Sequence, residues 1–202
     1  MASKPVKRKR MSEAERRASI VEAAQEVFLE SGFSGARTKT IAERAGITEP
    51  FLFRLFSSKS DMYAAAVVEP VVAGFTKLAD DIDALAATQG DDRAAFLLGL
   101  TELNLSFMYE YAGLNAVVLF TELGNGRICY KETLAPILLR IQSTIAANIT
   151  WQDPRIDPLV VRRALFGAQW AIGFDYFLRR ETPDVPALSA SLTNLFSAAV
   201  PT

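Results

Sequence analysis

The apolar residues of the first segment recur at the spacing of an amphipathic helix. Between Ser12 and Ser31 one stripe is apolar and the opposite stripe is polar, as in a helix with one buried face. The apolar stripe holds Ile20, Ala24, Val27 and Phe28, and the polar stripe holds Glu22, Gln25, Glu26 and Glu30. Gly32 is predicted to end this helix, because glycine commonly follows a helix end.

Two short helices are predicted next. Thr38 has a hydroxyl suited to capping a helix that runs to Arg44, and Gly46 breaks the pattern. Thr48 can cap a further helix with Pro50 in its first turn, where a missing backbone N–H has no consequence. Three helices are therefore predicted before residue 57.

The spacing within this pair of short helices is typical of a helix-turn-helix. Two helices that cross closely need a small residue at the crossing, a turn residue that tolerates positive φ, and an apolar anchor. Ala42, Gly46 and Leu52 meet these needs in order. The inward face is completed by Ile41, Ala45, Ile47 and Phe56, and residues 48–56 form the predicted recognition helix. Its outward candidates are Glu49, Pro50, Phe51 and Arg54.

Beyond Lys59 the pattern is helical throughout, without an alternating strand candidate or a Gly-rich phosphate loop. Six helices are predicted, at about residues 60–85, 92–109, 114–123, 128–148, 157–180 and 186–200, with a break at Asn125-Gly126. Pro70 and Pro136 are expected to kink or interrupt their helices. The predicted fold is all-α, with a three-helix domain followed by a larger six-helix domain.

Charge is distributed unequally along the 202 residues, although the net charge is only −1. Residues 1–60 carry twelve Lys and Arg against seven Asp and Glu, whereas residues 61–202 carry ten against sixteen. A basic small domain ahead of an acidic large one favours a nucleic acid as partner of the first. The alternative is charge scatter that serves solubility.

Composition excludes several classes of chemistry. The chain has no histidine, so Ser-His and Cys-His nucleophile pairs and His-ligated metals are excluded. Its single cysteine, Cys129, permits no internal disulfide. We therefore expect no enzymatic activity, no cofactor and no metal site. The apolar runs are interrupted by Glu69 and Asp175, and the start lacks the apolar region of a secretory signal, so we expect a cytoplasmic protein without a membrane partner.

The amino-terminal segment resembles the TetR/AcrR family of helix-turn-helix transcriptional regulators over about 45 residues. The matching residues are Arg17-x-x-Ile20-Val21-x-Ala23-Ala24-x-x-Val27-Phe28-x-x-x-Gly32-Phe33, Ile41-Ala42, Ala45-Gly46-Ile47, Phe53-x-x-Phe56 and Ser58-Lys59. The resemblance implies phosphate and base contacts at the start of the second helix and a backbone contact from Lys59. With the recognition helix, the predicted DNA-binding set is Arg37, Thr38, Lys39, Thr40, Thr48, Glu49, Pro50, Phe51, Phe53, Arg54 and Lys59.

Two residues depart from the family pattern, which usually has Tyr at position 53 and His or another polar residue at position 55. Phe53 and Leu55 both lack a hydrogen-bond donor for phosphate. Either Arg54 and the basic run of residues 4–10 replace these donors, or the two side chains pack inward. Phe51 could contact a thymine methyl and Glu49 a cytosine amino group, or each is a plain surface residue. The basic run is either a DNA-following arm or a solubilising tail.

The last two predicted helices are too apolar and too rich in small residues for a lone monomer core. Paired across a two-fold axis, they would form a four-helix interface, and the resemblance implies the same homodimer. The alternative is a core role within one chain. The predicted interface residues are Ala164, Gly167, Ala168, Ala171, Leu188, Leu192, Leu195 and Phe196.

An effector pocket is the third expectation, since the family commonly binds a small molecule between the carboxy-terminal helices. Plain core packing is the alternative for each residue. No basic cluster is expected to line this pocket, so an apolar or weakly polar ligand is predicted. The candidates are the apolar Leu103, Phe107, Phe120, Trp170 and Phe174, with Asn104 or Gln169 as polar anchors.

The sequence thus predicts a repressor in which a basic arm (1–11) precedes a DNA-binding domain (12–59) and an effector-binding and dimerisation domain (60–202). It would bind a palindromic operator in double-stranded DNA as a dimer and be released by a ligand that shifts the dimer away from the DNA-binding arrangement. The alternative is a small-molecule-binding or interaction protein with weakened DNA readout.

Overall fold

A computed structural model describes residues 11–90, 92–120, 129–149 and 157–198. Within these ranges the secondary structure is helical and contains no strand, which confirms the predicted all-α fold. The chain divides into two compact units, Met1–Val67 and Val68–Thr202. The predicted break at Asn125-Gly126 lies outside the described residues.

From residue 11 onward, the first unit contains four α-helices, α1 (Glu13–Gly35), α2 (Thr38–Arg44), α3 (Glu49–Leu55) and α4 (Lys59–Tyr63). Ser12 caps α1 in a capping box, in which its hydroxyl accepts from the Glu15 N–H and the Glu15 carboxylate accepts from the Ser12 N–H. Gly32 has φ 65° and interrupts the helical geometry, so the regular helix ends where the sequence predicts and one further turn follows.

The predicted helix-turn-helix is present in α2 and α3. Ile41, Ala42, Leu52 and Phe56 are buried, and Gly46 takes the left-handed conformation (φ 67°) that the turn requires. The prediction that Thr38 and Thr48 cap their helices is wrong. Arg37 and Thr48 occupy the N-cap positions, and neither makes a side-chain capping hydrogen bond. Pro50 does lie in the first turn of α3.

The second unit contains α5 (Glu69–Gln89), α6 (Arg93–Glu110), α7 (Ala112–Phe120), α8 (Ala135–Asn148), α9 (Pro158–Arg179) and α10 (Val185–Ala198). Asp92 and Asp157 cap α6 and α9 by accepting backbone N–H groups. Helix α6 is central, because α5, α9 and α10 all pack against it. Gly173 permits the close crossing of α9 on α6, since a Cβ at this position would lie 2.8 Å from the Met108 backbone.

Both predicted proline interruptions coincide with a π-helical turn. Residues Ala64–Val68 are π-helical immediately before the helix that contains Pro70, and Tyr130–Leu134 are π-helical before Pro136. Each proline lies in the first turn of the helix that follows, where it lacks an N–H for the preceding turn. A π-helical turn therefore interrupts the regular α-helix at both places where the prolines predicted a kink or an interruption.

An ion-pair cluster joins α5 to α8. The Arg140 guanidinium donates to Asp80 and Asp83, and the Thr144 hydroxyl donates to the second oxygen of Asp83 at 2.6 Å. These hydrogen bonds, first from Thr144 and then from Arg140, lower the pKa of Asp83 below its ordinary value. The cluster is therefore a structural link between two helices.

The helical run Lys59–Gln89 is long and apolar enough to cross a membrane by length and composition. Half of its most apolar stretch is buried inside the protein, and mostly buried core helices pass the same test. Core packing accounts for this run, because Val71, Phe75, Leu78 and Ile82 are buried.

Candidate functional site

The start of α2 presents exposed positive charge. Arg37 and Lys39 are exposed, and the Lys39 side chain retains 76% of its accessible surface. Its nearest carboxylate, Glu43, is 4.0 Å away and equally open to solvent, so the pair is weak. Thr40 is half-buried beside them. Both cations are therefore available to phosphate oxygens.

The recognition helix α3 has an exposed face that includes Pro50, Phe53 and Arg54, with Thr48 exposed just before it. Phe53 is 45% exposed, so inward packing is wrong for this side chain. Phe51 is half-buried, and the guanidinium groups of Arg16 and Arg54 both lie 5.4 Å from the centre of its ring. Leu55 is half-buried, and its carbonyl accepts from Arg17 at 3.1 Å.

Two residues predicted to contact DNA bond to each other instead. The Thr38 hydroxyl donates to the Glu49 carboxylate at 2.5 Å, which joins the first residue of α2 to the first residue of α3. Lys59 is also engaged, because its ammonium lies 4.7 Å from the centre of the Phe33 ring. These three side chains therefore already have partners within the first unit.

A second link within this unit is invisible to local sequence patterns. Arg44 at the end of α2 donates to Glu30 of α1 through two nitrogens, at 2.8 and 3.0 Å, and lies 3.4 Å from Glu26. The hydrogen bonds from Arg44 lower the pKa of Glu30. The α1 polar stripe therefore aligns α2 as well as facing solvent.

A cavity of about 260 Å³ lies in the second unit between α5, α6, α8 and α9. Its wall is mostly apolar, which suits an apolar ligand body. Of the six predicted effector residues whose side chains the structure describes, only Asn104 and Gln169 line it. The main lining residues that the sequence did not single out are Phe75, Leu78, Leu100, Tyr130, Ile141, Ile145, Arg162, Arg163 and Phe166.

The other effector candidates with described side chains lie elsewhere. Leu103 lines an open groove of about 770 Å³ between α5 and α6. Phe107 is buried, stacks on Tyr111 and packs at a tilted angle against Phe75, so it belongs to the core. Trp170 and Phe174 stack on each other at 5.3 Å. The side chain of Phe120 is outside the described part of the structure. Aromatic spacing identified the helices correctly but not the faces that enclose the cavity.

Three buried polar atoms of the residues that line the cavity have no hydrogen-bond partner. Gln169 is fully buried, and both its Nε2 and its Oε1 are without hydrogen-bond partners. The Nε of Arg162 is also buried and unpartnered. Asn104 differs, because its Nδ2 donates to the Leu100 carbonyl at 3.0 Å. The expectation that no basic cluster lines the pocket is wrong, since the neighbouring Arg162 and Arg163 both do.

Helices α9 and α10 present an exposed apolar face. Val160, Leu178 and Leu195 are 60–64% exposed, and the predicted small residues Ala164, Gly167 and Ala171 are exposed near them on α9. Ala168, Leu188 and Phe196 are half-buried. Leu192 is only 7% exposed, so it is part of this unit's own core and is not available to a partner. An apolar face of this kind is typical of a protein–protein contact.

The amino-terminal residues match a known family. The sequence model for "Bacterial regulatory proteins, tetR family" matches residues 20–66, which span the helix-turn-helix described above. Residues 20–66 are a TetR-family domain. The chain is also 40% identical over 68 residues to the HTH-type transcriptional activator FasR of Mycolicibacterium smegmatis, a match that covers 32% of this chain and 31% of FasR.

Solved structures share the fold of this chain over most of its length. The transcriptional regulator FadR from Bacillus subtilis, solved in complex with stearoyl-CoA, matches with a TM-score of 0.61 and 20% identity, over 91% of this chain and 99% of FadR. The ketosteroid transcriptional regulator KstR2 of Mycobacterium tuberculosis matches with a TM-score of 0.65 and 18% identity, over 93% of this chain and 95% of KstR2. At these identities the comparison establishes the fold of the chain.

Proposed function

We propose that this TetR-family regulator is a repressor that binds a palindromic operator as a homodimer and is released by a small molecule with an apolar body. The observation that carries the proposal is the exposed face made by Arg37, Lys39 and Arg54 with Phe53 and Pro50, on two helices that are crossed as in DNA-binding proteins. The DNA-binding domain is taken as residues 12–59 and the effector-binding and dimerisation domain as residues 60–202. Its site of action is the cytoplasm, where operator DNA is found.

The DNA-binding role is divided between two groups of residues. Arg37, Lys39, Thr40 and Arg54 contact phosphates and base edges, because their donors are exposed or partly exposed. Thr48, Pro50, Phe51 and Phe53 contribute contacts from α3, including apolar contact with thymine methyl groups. Thr38 and Glu49 act by holding α2 against α3, and Lys59 acts by packing against Phe33 of α1.

The homodimer forms through α9 and α10. The exposed Leu178 and Leu195 provide apolar area, and the exposed Gly167 permits close approach of a second backbone. In such a dimer the two recognition helices would reach successive major grooves, which are about 34–36 Å apart on a palindromic site.

The effector occupies the cavity between α5, α6, α8 and α9. Its apolar wall supports a ligand with an apolar body, and the structural neighbours FadR, solved with stearoyl-CoA, and KstR2, a ketosteroid regulator, favour a lipid-like molecule. Ligand binding releases the operator by favouring a dimer whose recognition helices do not match the groove spacing. FasR is named an activator, so repression and activation by this protein have to be distinguished by a separate measurement.

The experiment measures binding of the full chain to DNA from its own promoter region by fluorescence anisotropy at several salt concentrations. We expect saturable binding to one palindrome and a fall of affinity with salt. Lys39→Gln should lower the salt slope by about one, whereas Lys131→Gln, which removes an exposed lysine of the second unit, should leave it unchanged. A salt slope without sequence preference would favour the alternative, a ligand-binding protein with weakened DNA readout.

The regulatory direction is tested in cells with a reporter fused to the same promoter. Loss of the protein should raise reporter output if it is a repressor. A fall in output would contradict repression and assign the activator role that the name of FasR indicates for that relative.

A further inference from the structure

The innermost polar group of the cavity is a complete side-chain amide without partners. Gln169 is fully buried, and neither its Nε2 nor its Oε1 has a hydrogen-bond partner within the protein. Buried amides are normally satisfied, because an unmade hydrogen bond in a protein interior is costly. A group that offers both a donor and an acceptor would satisfy both atoms of this amide.

A second polar group lies two turns earlier on the same face of α9. Arg162 precedes Gln169 by seven residues, so both side chains point to the same side of the helix. Its Nε is buried and unpartnered, and no described carboxylate forms an ion pair with its guanidinium. Arg163 lines the same end of the cavity and is exposed. This end therefore carries positive charge that nothing in the described chain neutralises.

The two groups are separated by an apolar wall. Seven helical residues rise about 10 Å along the axis, and Leu165 and Phe166 line the cavity between Arg162 and Gln169. Gln169 is fully buried, whereas Arg162 is half-buried and Arg163 is exposed, so the charged end is the outer one.

We infer that the ligand of this cavity has two polar ends. An elongated apolar body carries an uncharged hydroxyl at its inner end, which donates to Gln169 Oε1 and accepts from Nε2, and a carboxylate at its outer end beside Arg162. This inference rests on the proposed effector site and specifies its ligand class. It also replaces the expectation of an apolar or weakly polar ligand, since Arg162 and Arg163 line the cavity.

The test uses four straight-chain probes with the full-length protein in isothermal calorimetry: ω-hydroxydecanoate, decanoate, decanol and methyl decanoate. We expect ω-hydroxydecanoate to bind most tightly. Decanoate should bind about five- to tenfold more weakly, because it leaves the Gln169 amide unpaired, and decanol should bind more weakly by a similar factor, because it lacks the anion. Equal binding of decanol and ω-hydroxydecanoate overturns the anionic end, and equal binding of decanoate and ω-hydroxydecanoate overturns the hydroxyl end.

Two variants assign each end to its residue. Gln169→Leu should bind decanoate and ω-hydroxydecanoate equally, and its melting temperature without ligand should rise, because the unpaired buried amide is removed. Arg162→Met should lose the preference for decanoate over methyl decanoate. The matched controls are Gln89→Leu, at an exposed position outside the cavity, and Arg179→Met, at the far end of the same helix. Unchanged probe preferences in Gln169→Leu or Arg162→Met overturn the assignment.

Operator binding is measured in the same samples to separate this inference from the proposed function. If the four probes bind equally and still displace operator DNA, the two-ended ligand is wrong and the proposed function stands. If the probes follow the expected order but the protein shows no sequence-dependent DNA binding, the proposed function is wrong and the ligand assignment stands. Absence of binding by every probe overturns the ligand assignment.

Discussion

The side-chain amide of Gln25 donates a hydrogen bond of 3.0 Å to the backbone carbonyl of Ala66, forty-one residues later in the chain. Ala66 is fully buried and lies in the π-helical turn Ala64–Val68. Four residues after it comes Pro70, which has no N–H to donate to this carbonyl. Gln25 thus supplies the donor that a regular helix would have provided, and α1 is tied to the turn.

Replacing Gln25 by alanine should lower the free energy of unfolding by about 1–2 kcal/mol, because the buried Ala66 carbonyl loses its side-chain donor. Pro70→Ala restores an N–H at the fourth residue after Ala66, so Gln25→Ala should be less destabilising in that background. Urea unfolding of the wild type, both single variants and the double variant measures the coupling. Additive changes in the free energy of unfolding would show that the contribution of Gln25 to stability does not depend on Pro70.

Gly173→Ala should destabilise the second unit. The added Cβ would lie 2.8 Å from backbone atoms of Met108 and Tyr109, which cannot rotate away as a flexible side chain could. We expect a loss of about 1–3 kcal/mol, measured by thermal unfolding. Gly99→Ala is the matched control, because its added Cβ would also lie 2.8 Å from a neighbour, but that neighbour is the end of the flexible Leu85 side chain, which can move aside. Equal losses in the two variants would contradict the close crossing of α9 on α6.

Phe53→Tyr should strengthen operator binding. Phe53 is 45% exposed on the recognition helix, and a tyrosine hydroxyl there would offer a donor to phosphate. One added hydrogen bond should raise the affinity about three- to tenfold in anisotropy measurements. Phe53→Leu, which adds no donor, serves as the control. If the tyrosine variant binds no better than this control, position 53 does not face a phosphate.

Leu195→Glu should convert the proposed dimer into a monomer. Leu195 is 64% exposed in one chain, so the substitution has little effect on the fold but places charge in the proposed apolar interface. Sedimentation should show twice the 22.1 kDa chain mass for the wild type and a single chain mass for the variant. Leu29→Glu, at an exposed leucine of the first unit, should remain dimeric. If the Leu195→Glu protein remains a dimer, the dimer interface does not include Leu195.

Asp83 should stabilise the fold in its charged form. Because the hydrogen bonds from Thr144 and Arg140 lower its pKa, the folded state prefers the charged form, and this stabilisation is lost as the pH falls through the lowered pKa. Asp83→Asn should therefore lower the melting temperature at pH 7, and the difference from wild type should shrink as the pH falls below about 4, the ordinary pKa of an aspartate. Thr144→Val should move this loss to higher pH. A pH-independent difference would contradict the role of the charge.

Local sequence patterns were sufficient for the helices and for the helix-turn-helix. Periodicity, the caps Asp92 and Asp157, the positive-φ glycines and the proline positions all act within a few residues, so they can be recognised without the fold. The same patterns failed at Thr38, which is the first residue of α2 and not its N-cap, and whose hydroxyl donates to the distant Glu49. Competition between local and distant partners is decided only after the helices pack.

The sequence by itself determined the all-α fold, the crossed helices of the first unit and the family, because these depend on spacing along the chain. Only the tertiary structure decided which face of each helix encloses the cavity. Phe107 and Gln169 both lie on apolar helices, yet one completes an aromatic stack and the other reaches an enclosed space without a partner. Helix rotation and crossing arise from packing among four helices, so no single segment contains the information that separates core from ligand contact.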